Sequence, residues 1–158
     1  MIETSAADLR AALGVERWVT DVSSHSPFET LSDLLATASA AATPLAPVEI
    51  DEALAHHPRI GEKPVGTGAS QDFSRAEQAS ADADDAAVNE AIARGNADYE
   101  KVFGRVFLIR AAGRTRIEIL QELRRRIGLP PEQELQIVGE QLRDIALLRL
   151  STLYGETA

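Results

Sequence analysis

Hydrophobic residues recur along most of the chain at intervals of three and four, the spacing that places them on one face of an α-helix. Prolines and glycines interrupt this pattern, and Ser, Thr or Asp often stands where the next periodic stretch begins. The stretch from 74 to 102 is compatible with one helix or two. The pattern predicts seven or so helices, at about 5–13, 16–22, 27–43, 47–57, 74–102, 115–127 and 132–154.

Two segments lie outside the helical pattern. Residues 61–72 contain three glycines and one proline without any periodicity, which predicts the longest loop of the chain. Loops of this length inside a compact domain often carry function. The apolar run Phe103–Ile109 has the character of a strand or of a buried turn of helix, and its periodicity does not distinguish the two.

Composition favours an all-α fold. Alanine occurs 26 times among the 158 residues, whereas aromatic residues make up 4%. A core of Ala, Leu, Ile and Val suits closely packed helices better than a sheet, which favours β-branched and aromatic residues. The length fits one domain, so we expect residues 1–158 to form a single compact bundle of about seven to eight helices. The absence of cysteine excludes disulfides, thiolate ligands and cysteine nucleophiles.

The formal net charge of −9 argues against general attraction to nucleic acids or anionic membranes. Within the chain, residues 72–100 carry eight acids against two arginines, and residues 105–126 carry seven arginines against two glutamates. These stretches either face each other across the bundle or form two separate solvated faces. With no apolar run of membrane-spanning length and no secretory or peroxisomal signal, we expect a cytoplasmic protein.

Three segments carry side chains suited to chemistry, and the first contains adjacent histidines. His57 follows a predicted helix and precedes Pro58, a placement that suits a general acid–base residue or a metal ligand. The alternative is a structural histidine that interacts favourably with the negative end of the helix dipole. A metal site would need His56 and the distant His25 as well, and adjacent helical residues point about 100° apart. We therefore expect no metal.

The second segment runs from Ser74 to Gln78. Ser74 and Glu77 match a capping box, in which the serine caps a helix and the glutamate reaches back to the serine amide. In the functional interpretation, Ser74, Glu77 and Gln78 share one helical face, so that a hydroxyl, a carboxylate and an amide converge at a helix N-terminus that favours anions. The sequence leaves both interpretations open.

The third segment has Arg110 and Arg114 on either side of the small residues 111–113. A ligand can approach the backbone closely at such residues, and a guanidinium can hold a carboxylate through two parallel hydrogen bonds. The alternative is that both arginines belong to a solvated face.

Together these segments resemble the 2-oxo-4-hydroxy-4-carboxy-5-ureidoimidazoline (OHCU) decarboxylases, which form (S)-allantoin in urate breakdown. The resemblance covers nearly the whole chain and implies an all-helical decarboxylase that needs no cofactor and forms a homodimer. It rests on four motifs, namely His57-Pro58-x-Ile60-Gly61, Ser74-x-x-Glu77-Gln78, Tyr99-x-x-x-Phe103-Gly104-x-x-Phe107-Leu108-Ile109 and Ile145-x-x-x-Arg149-Leu150.

The resemblance places the catalytic acid–base histidine at His57 and assigns no role to His56. We expect Glu77 to act beside it by orienting His57 or the substrate hydroxyl. An arginine is expected to hold the departing carboxylate. The residues expected to bind substrate are Pro58, Ser74, Arg75, Ala76, Glu77, Gln78, Phe107, Leu108, Ile109, Arg110, Ala111 and Arg114.

Three other functions compete with this one. A helical binding or interaction module would use all three segments structurally and would show no turnover. Hydrolysis of the preceding intermediate of urate breakdown would need an activated water, for which the candidate residues offer only His57 and Glu77 as the base. Nucleic-acid binding through the arginines of 105–126 is the least consistent with an acidic chain.

Overall fold

The computed structural model describes residues 1–60 and 69–155. In this part of the chain there is no β-strand, and Ile2 and Phe28 form an isolated antiparallel bridge. The all-α prediction is therefore confirmed. No helix among these residues is both long enough and apolar enough to cross a membrane. The eight helices they form are α1 (Ala6–Ala12), α2 (Glu16–Ser23), α3 (Leu31–Ala41), α4 (Pro47–Leu54), α5 (Ala69–Glu77), α6 (Ala86–Phe103), α7 (Arg116–Arg126) and α8 (Pro131–Tyr154).

The chain divides into two compact units. The first comprises Met1–His56 together with the chain from Gly139 onward, and the second comprises His57–Val138. Helix α8 accordingly contributes residues 131–138 to the second unit and residues 139–154 to the first. The assignment of the chain to a single domain stays a prediction.

The first unit is built on buried apolar side chains of its short helices. Trp18 in α2 is fully buried and donates its indole N–H to the carbonyl of Ala38 at 3.0 Å. The predicted cap of α1 is present, since the hydroxyl of Ser5 accepts the N–H of Asp8 at 3.1 Å.

The third helix starts later than predicted. The sequence places its first turn at Pro27, but α3 begins after Thr30. Thr30 supplies the cap, because its hydroxyl accepts the N–H of Asp33 at 3.1 Å. The backbone of Phe28 is instead bonded to that of Ile2 through two hydrogen bonds of 2.6 and 2.8 Å.

Residues 78–85 connect α5 and α6 in turns, although their alanine-rich sequence lies inside a stretch predicted to be helical. Short polar side chains compete with the helix by bonding locally. The hydroxyl of Ser80 donates to the carboxylate of Asp82 at 2.9 Å, and the carboxylate of Asp85 caps α6 by accepting the N–H of Val88 at 3.1 Å.

Helix α5 begins at Ala69, inside the stretch 61–72 that the sequence predicts to be a loop. The rest of that prediction falls on residues 61–68, which lie outside the described residues. The structure therefore shortens the predicted loop at its C-terminal end.

The core of the second unit forms where α6 and α7 pack together. Phe103 is the last residue of α6, and residues 106–111 enter this core in an irregular conformation. The run Phe103–Ile109 is therefore neither a strand nor, beyond Phe103, a turn of helix. Gly104 ends α6 with a φ of 70°, in the left-handed region that glycine adopts without strain. The buried members of the core are Ile60, Ile92, Tyr99, Phe107, Ile109, Ala111, Ile119, Leu120 and Leu123.

The acidic stretch 72–100 and the arginine-rich stretch 105–126 meet at the start of α7. The carboxylate of Asp82 accepts the backbone N–H of Arg116 at 2.7 Å and that of Ile117 at 3.1 Å. In this contact the carboxylate of Asp82 binds N–H groups that have no partner inside the helix, and not the charged side chain of an arginine.

Candidate active site

All of the candidate site residues belong to the second unit, and His57 is its first residue. His57 and Pro58 are half-buried and lie beyond the end of α4 at Leu54. Both the catalytic and the structural interpretation of His57 stay predictions. The backbone after His57 is fixed at Ile60, which is buried and whose carbonyl accepts a hydrogen bond from Asn96 Nδ2 at 3.1 Å.

The segment Ser74–Gln78 lies at the C-terminal end of α5, not at its start. The capping-box interpretation is therefore wrong, because the helix has already begun at Ala69 and the carbonyl of Ser74 accepts the N–H of Gln78 at 3.2 Å within the last turn. The prediction that these side chains converge at an anion-favouring helix N-terminus is wrong for the same reason, since the C-terminal end of a helix carries the negative pole.

The shared face of this segment is retained. Ser74 is 4% exposed, and Glu77 and Gln78, three and four residues later, are half-buried. Arg75 and Ala76 are exposed, and Arg75 pairs with Asp72 at 3.0 Å. The hydroxyl, carboxylate and carboxamide thus lie on the inward side of the helix, whereas Arg75 and Ala76 lie on the outward side.

Gln78 is tied to α7 by Arg116, a residue that the sequence interpretation left out of the site. The guanidinium of Arg116 donates to Gln78 Oε1 at 3.4 Å through Nη1 and to the carbonyl of Gln78 at 3.3 Å through Nη2. Arg116 is only 6% exposed. The end of α5 and the start of α7 are therefore held together at a candidate binding residue.

The buried side chain of Arg126 contacts the segment Phe107–Ala111. Phe107, Leu108, Ile109 and Ala111 are buried, and the carbonyl of Leu108 accepts a hydrogen bond from Arg126 Nη1 at 2.8 Å. The guanidinium carbon of Arg126 lies 4.7 Å from the centre of the Phe107 ring, a cation–π contact. The backbone of this irregular segment is therefore positioned by a side chain from α7.

Arg126 belongs to a fully buried polar network with Glu134 and Tyr99. Its Nε donates to the two carboxylate oxygens of Glu134 at 3.0 and 3.1 Å, and its Nη2 also donates to Oε1. The hydroxyl of Tyr99 donates to Glu134 Oε1 at 2.6 Å. Burial, followed by the hydrogen bond to this carboxylate, raises the pKa of Tyr99, so its phenol remains protonated.

The turn that follows brings Arg114 close to the same segment. The backbone N–H of Arg114 is bonded to the carbonyl of Ala111 at 3.0 Å, and Gly113 adopts a φ of 78° between them. Arg114 is half-buried, and its buried Nε has no hydrogen-bond partner among the described residues. Arg110, also half-buried, lies at the other end of this turn.

Sequence reasoning assigned no role to the residues that support the site, although a signal for them exists. Asn96 and Tyr99 lie on the side of α6 that carries Ile92. Arg126 follows Leu123 by three residues on the buried side of α7. A polar or charged residue at a position where the helical period demands an apolar one indicates a buried partner.

Across residues 1–60 and 69–155, no three side chains of His, Asp or Glu come together in an arrangement that holds a metal ion.

Comparison with known proteins gives a consistent result. The family model for OHCU decarboxylase matches residues 3–151. The uric acid degradation bifunctional protein TTL of Arabidopsis thaliana is 36% identical over 111 residues, which are 68% of this chain and 34% of that protein. The 2-oxo-4-hydroxy-4-carboxy-5-ureidoimidazoline decarboxylase of Amia calva is 37% identical over 102 residues, which are 61% of this chain and 57% of that protein. The chain thus spans only part of the length of these curated relatives.

Solved structures show the same fold. The crystal structure of an OHCU decarboxylase in the presence of (S)-allantoin superposes with a TM-score of 0.79 at 26% identity, covering 97% of this chain and 100% of the other. The crystal structure of an (S)-allantoin synthase has a TM-score of 0.66 at 22% identity, covering 93% and 48%, and supports the fold alone. With a family match over nearly its whole length, this chain belongs to the OHCU decarboxylase family.

Proposed function

We propose that this protein decarboxylates OHCU to (S)-allantoin in the breakdown of urate, without a cofactor. The observation that carries the proposal is the family match over residues 3–151. The location of every candidate site residue in one compact unit agrees with it. In that unit the carbonyl of Ile60, close after His57, bonds to Asn96 of α6, the end of α5 bonds to Arg116 of α7, and residues 107–111 enter the core that α6 and α7 form.

The chemistry of the substrate explains why no cofactor is needed. Its carboxylate sits on a carbon that also bears a hydroxyl and adjoins a ring C=N bond. When CO₂ leaves, the bonding electrons pass into that C=N bond, so the substrate supplies its own electron sink. The enzyme has to hold the carboxylate out of the ring plane, manage the hydroxyl proton and deliver a proton to one face of the carbon.

We assign the proton transfer to His57. A neutral imidazole accepts a proton and its conjugate acid donates one near neutral pH, which this reaction requires. Glu77 orients His57 or the substrate hydroxyl, and Ser74 and Gln78 bind the ureido and ring amide groups. Backbone groups of 109–111 complete the amide recognition.

The departing carboxylate is assigned to Arg110 or Arg114. A guanidinium holds a carboxylate through two parallel hydrogen bonds, and both arginines border the turn at 111–113. The buried Nε of Arg114, which lacks a partner within the described residues, supports its inclusion.

The test uses the instability of the substrate. OHCU is generated in situ from urate with the two upstream enzymes, and the optical activity of the allantoin formed is followed with and without this protein. We expect one enantiomer to appear rapidly with the wild type. His57→Ala should abolish this activity and leave the helical circular dichroism unchanged, whereas His56→Ala, altering the neighbouring exposed histidine, should retain it.

Each negative outcome has a defined meaning. Racemic allantoin at the spontaneous rate with the wild type contradicts the decarboxylase and favours the binding-module alternative. Full activity of His57→Ala contradicts the role of His57 alone.

We further propose that the protein acts in the cytoplasm and that it forms a homodimer, the latter as the family resemblance implies. Sedimentation equilibrium of the purified chain should give twice the monomer mass of 17.0 kDa. A monomer that is fully active contradicts the dimer without affecting the proposed reaction.

A further inference from the structure

The buried guanidinium of Arg126 donates hydrogen bonds to two different groups, a carboxylate and a backbone carbonyl. Its Nε donates to the two carboxylate oxygens of Glu134 at 3.0 and 3.1 Å, and its Nη1 donates to the carbonyl of Leu108 at 2.8 Å. The carboxylate compensates the charge of Arg126 and binds one side of its planar guanidinium. The direction in which Nη1 points is therefore fixed.

The groups around Arg126 are held in turn by their neighbours. The hydroxyl of Tyr99 donates to Glu134 Oε1 at 2.6 Å, and the ring of Tyr99 packs against that of Phe107 with 5.2 Å between the ring centres. The ring of Phe107 also contacts the guanidinium of Arg126, at 4.7 Å from its carbon. Side chains from α6, α7 and α8 thus form one buried support beneath the carbonyl of Leu108.

The hydrogen bond from Arg126 orients the whole peptide group between Leu108 and Ile109. A peptide group is planar, and this one is trans, so its C=O and its N–H point in opposite directions. Because the carbonyl of Leu108 faces Arg126, the N–H of Ile109 points away from Arg126. Ile109 is 3% exposed, and no group in the described part of the chain accepts its N–H. Buried N–H groups without an acceptor are rare in native proteins, which indicates an acceptor supplied by a ligand.

We propose that Arg126 is a positioning residue, which holds the Leu108–Ile109 peptide group so that the N–H of Ile109 donates a hydrogen bond to a carbonyl oxygen of the substrate. Arg126 acts through the backbone and does not touch the substrate. The proposal rests on the proposed function for the identity of the ligand. The orientation of the peptide group by Arg126 stands on the geometry alone.

The kinetic test replaces the arginine by the other basic residue. Arg126→Lys keeps a positive charge beside Glu134, but a single ammonium does not reproduce the rigid fork that binds Glu134 and Leu108 together. Without its support the peptide group no longer presents the N–H of Ile109 in one direction. We expect kcat/KM to fall roughly five- to tenfold, the size of one net hydrogen bond.

A second variant protects the test against a failure of Arg126→Lys to fold. Replacing Arg126 by Met and Glu134 by Gln in the same chain removes both buried charges together, and buried ion pairs tolerate such a joint replacement better than the loss of one member. This double variant also lacks the donor to Leu108. We expect its kcat/KM to fall as in Arg126→Lys, and a wild-type value overturns the proposal.

Gly95→Ala is the matched control for loss of stability. A Cβ at this position of α6 would lie 2.8 Å from Cδ2 of Leu123, so the substitution disturbs the same core without removing the bond between Arg126 and Leu108. Its kcat/KM should remain within twofold of the wild type. An equal loss in Gly95→Ala and Arg126→Lys means that any disturbance of this core has the effect, and the proposal is overturned.

A spectroscopic readout observes this peptide group directly. Leu108–Ile109 is the only Leu–Ile pair in the sequence. A chain made with leucine carrying ¹³C at its carbonyl carbon and with ¹⁵N-isoleucine therefore gives a single cross-peak in a spectrum that correlates a carbonyl carbon with the next amide. We expect Arg126→Lys to move the carbonyl frequency of this peak in the absence of any ligand, and an unmoved peak overturns the positioning role.

The probe for ligand contact is (S)-allantoin, the proposed product, which retains the ureido and ring carbonyls. Its addition should shift the Ile109 amide in the wild type, and Arg126→Lys should need a higher concentration for the same shift. If (S)-allantoin shifts other amides but not this one, Ile109 is not the donor and the proposal is overturned. If the wild type forms no (S)-allantoin from OHCU while Arg126→Lys moves the peak of the ligand-free protein, the proposed function fails and the orientation of the peptide group stands.

Discussion

The carboxylate of Asp82 occupies the start of α7, where it accepts the N–H groups of Arg116 and Ile117. These N–H groups have no partner inside the helix, and the helix N-terminus carries a partial positive charge. The bond from the Arg116 backbone is the main cause that holds the pKa of Asp82 below its ordinary value, and the bond from Ile117 adds to it. Asp82 therefore links the protonation state of one side chain to the position of a candidate site element.

This link gives a pH dependence with a definite sign. A carboxyl group whose pKa is lower in the folded state stabilises the fold above its unfolded pKa of about 3.9, and this contribution is lost as the pH falls through the folded value. We expect Asp82→Asn to unfold at lower urea concentration than the wild type at pH 7, with a difference that shrinks as the pH is lowered from 5 to 3.5. Asp84→Asn, changing an exposed neighbour, is the control. A difference that stays constant down to pH 3.5 contradicts the assignment.

At the scale of single residues, the sequence predicts which residues belong to the candidate site but not where in their helix they lie. The spacing places Ser74, Glu77 and Gln78 on one face, because the helical period depends only on spacing, and all three are buried or half-buried in the structure. Their place at the end of α5 was not predicted, since a serine followed by a glutamate three residues later also matches a helix start. The contact between Gln78 and Arg116 joins residues 38 apart in the chain, and no local pattern contains it.

At the scale of secondary-structure elements, the spacing of apolar residues located α1, α2, α4, α7 and α8 well. It failed where short polar side chains decide the backbone, as at 78–85 and at Thr30, because a hydrogen bond from Ser, Thr or Asp to a nearby group competes with helix periodicity. It also gave no answer for residues 106–111, whose irregular backbone is held by the distant Arg126. Element boundaries thus follow capping chemistry more than hydrophobicity.

Two helical glycines differ in what surrounds them and predict opposite effects. A Cβ on Gly95 of α6 would lie 2.8 Å from Cδ2 of Leu123, a buried residue of α7. A Cβ on Gly139 of α8 would lie 3.6 Å from Cδ1 of Ile50, an ordinary contact. A Cβ at position 95 therefore forces the side chain of Leu123 to shift within the core, whereas position 139 tolerates alanine.

We expect Gly95→Ala to lower the free energy of unfolding by about 1–3 kcal/mol through overpacking against Leu123. Gly139→Ala should raise it by about 0.5–1 kcal/mol, because alanine loses less backbone entropy in a helix. Urea denaturation followed by circular dichroism measures both. Equal effects of the two substitutions would refute the close approach at Gly95.

At the scale of the whole molecule, the candidate chemistry is concentrated in one of the two compact units. Every residue assigned to catalysis or substrate binding falls within His57–Val138. The sequence could predict the all-α class, because a chain rich in alanine and poor in aromatic residues packs as helices. The sequence pattern does not predict the division into two units, because that division depends on contacts between residues far apart in the chain.

The buried network of Tyr99, Arg126 and Glu134 connects α6, α7 and the first turn of α8 with the carbonyl of Leu108. The side chains of Arg126 and Glu134 are 1% and 2% exposed. Removing one member of a buried ion pair leaves the other charge without compensation, which costs about 3–5 kcal/mol. The network therefore supports the irregular segment 106–111 as well as the helices.

We expect Glu134→Ala to lower the free energy of unfolding by about 3–5 kcal/mol, measured by urea denaturation. Glu122→Ala is the matched control, because it breaks the exposed pair of Glu122 with Arg125 on α7 and should cost no more than about 1 kcal/mol. Hydrogen exchange at the amides of 107–111 should also accelerate in Glu134→Ala, because Arg126 then loses the carboxylate that keeps it bonded to the carbonyl of Leu108. In Glu122→Ala the exchange should remain unchanged. A loss in Glu134→Ala no larger than that in Glu122→Ala would mean that this segment is held by its apolar contacts alone.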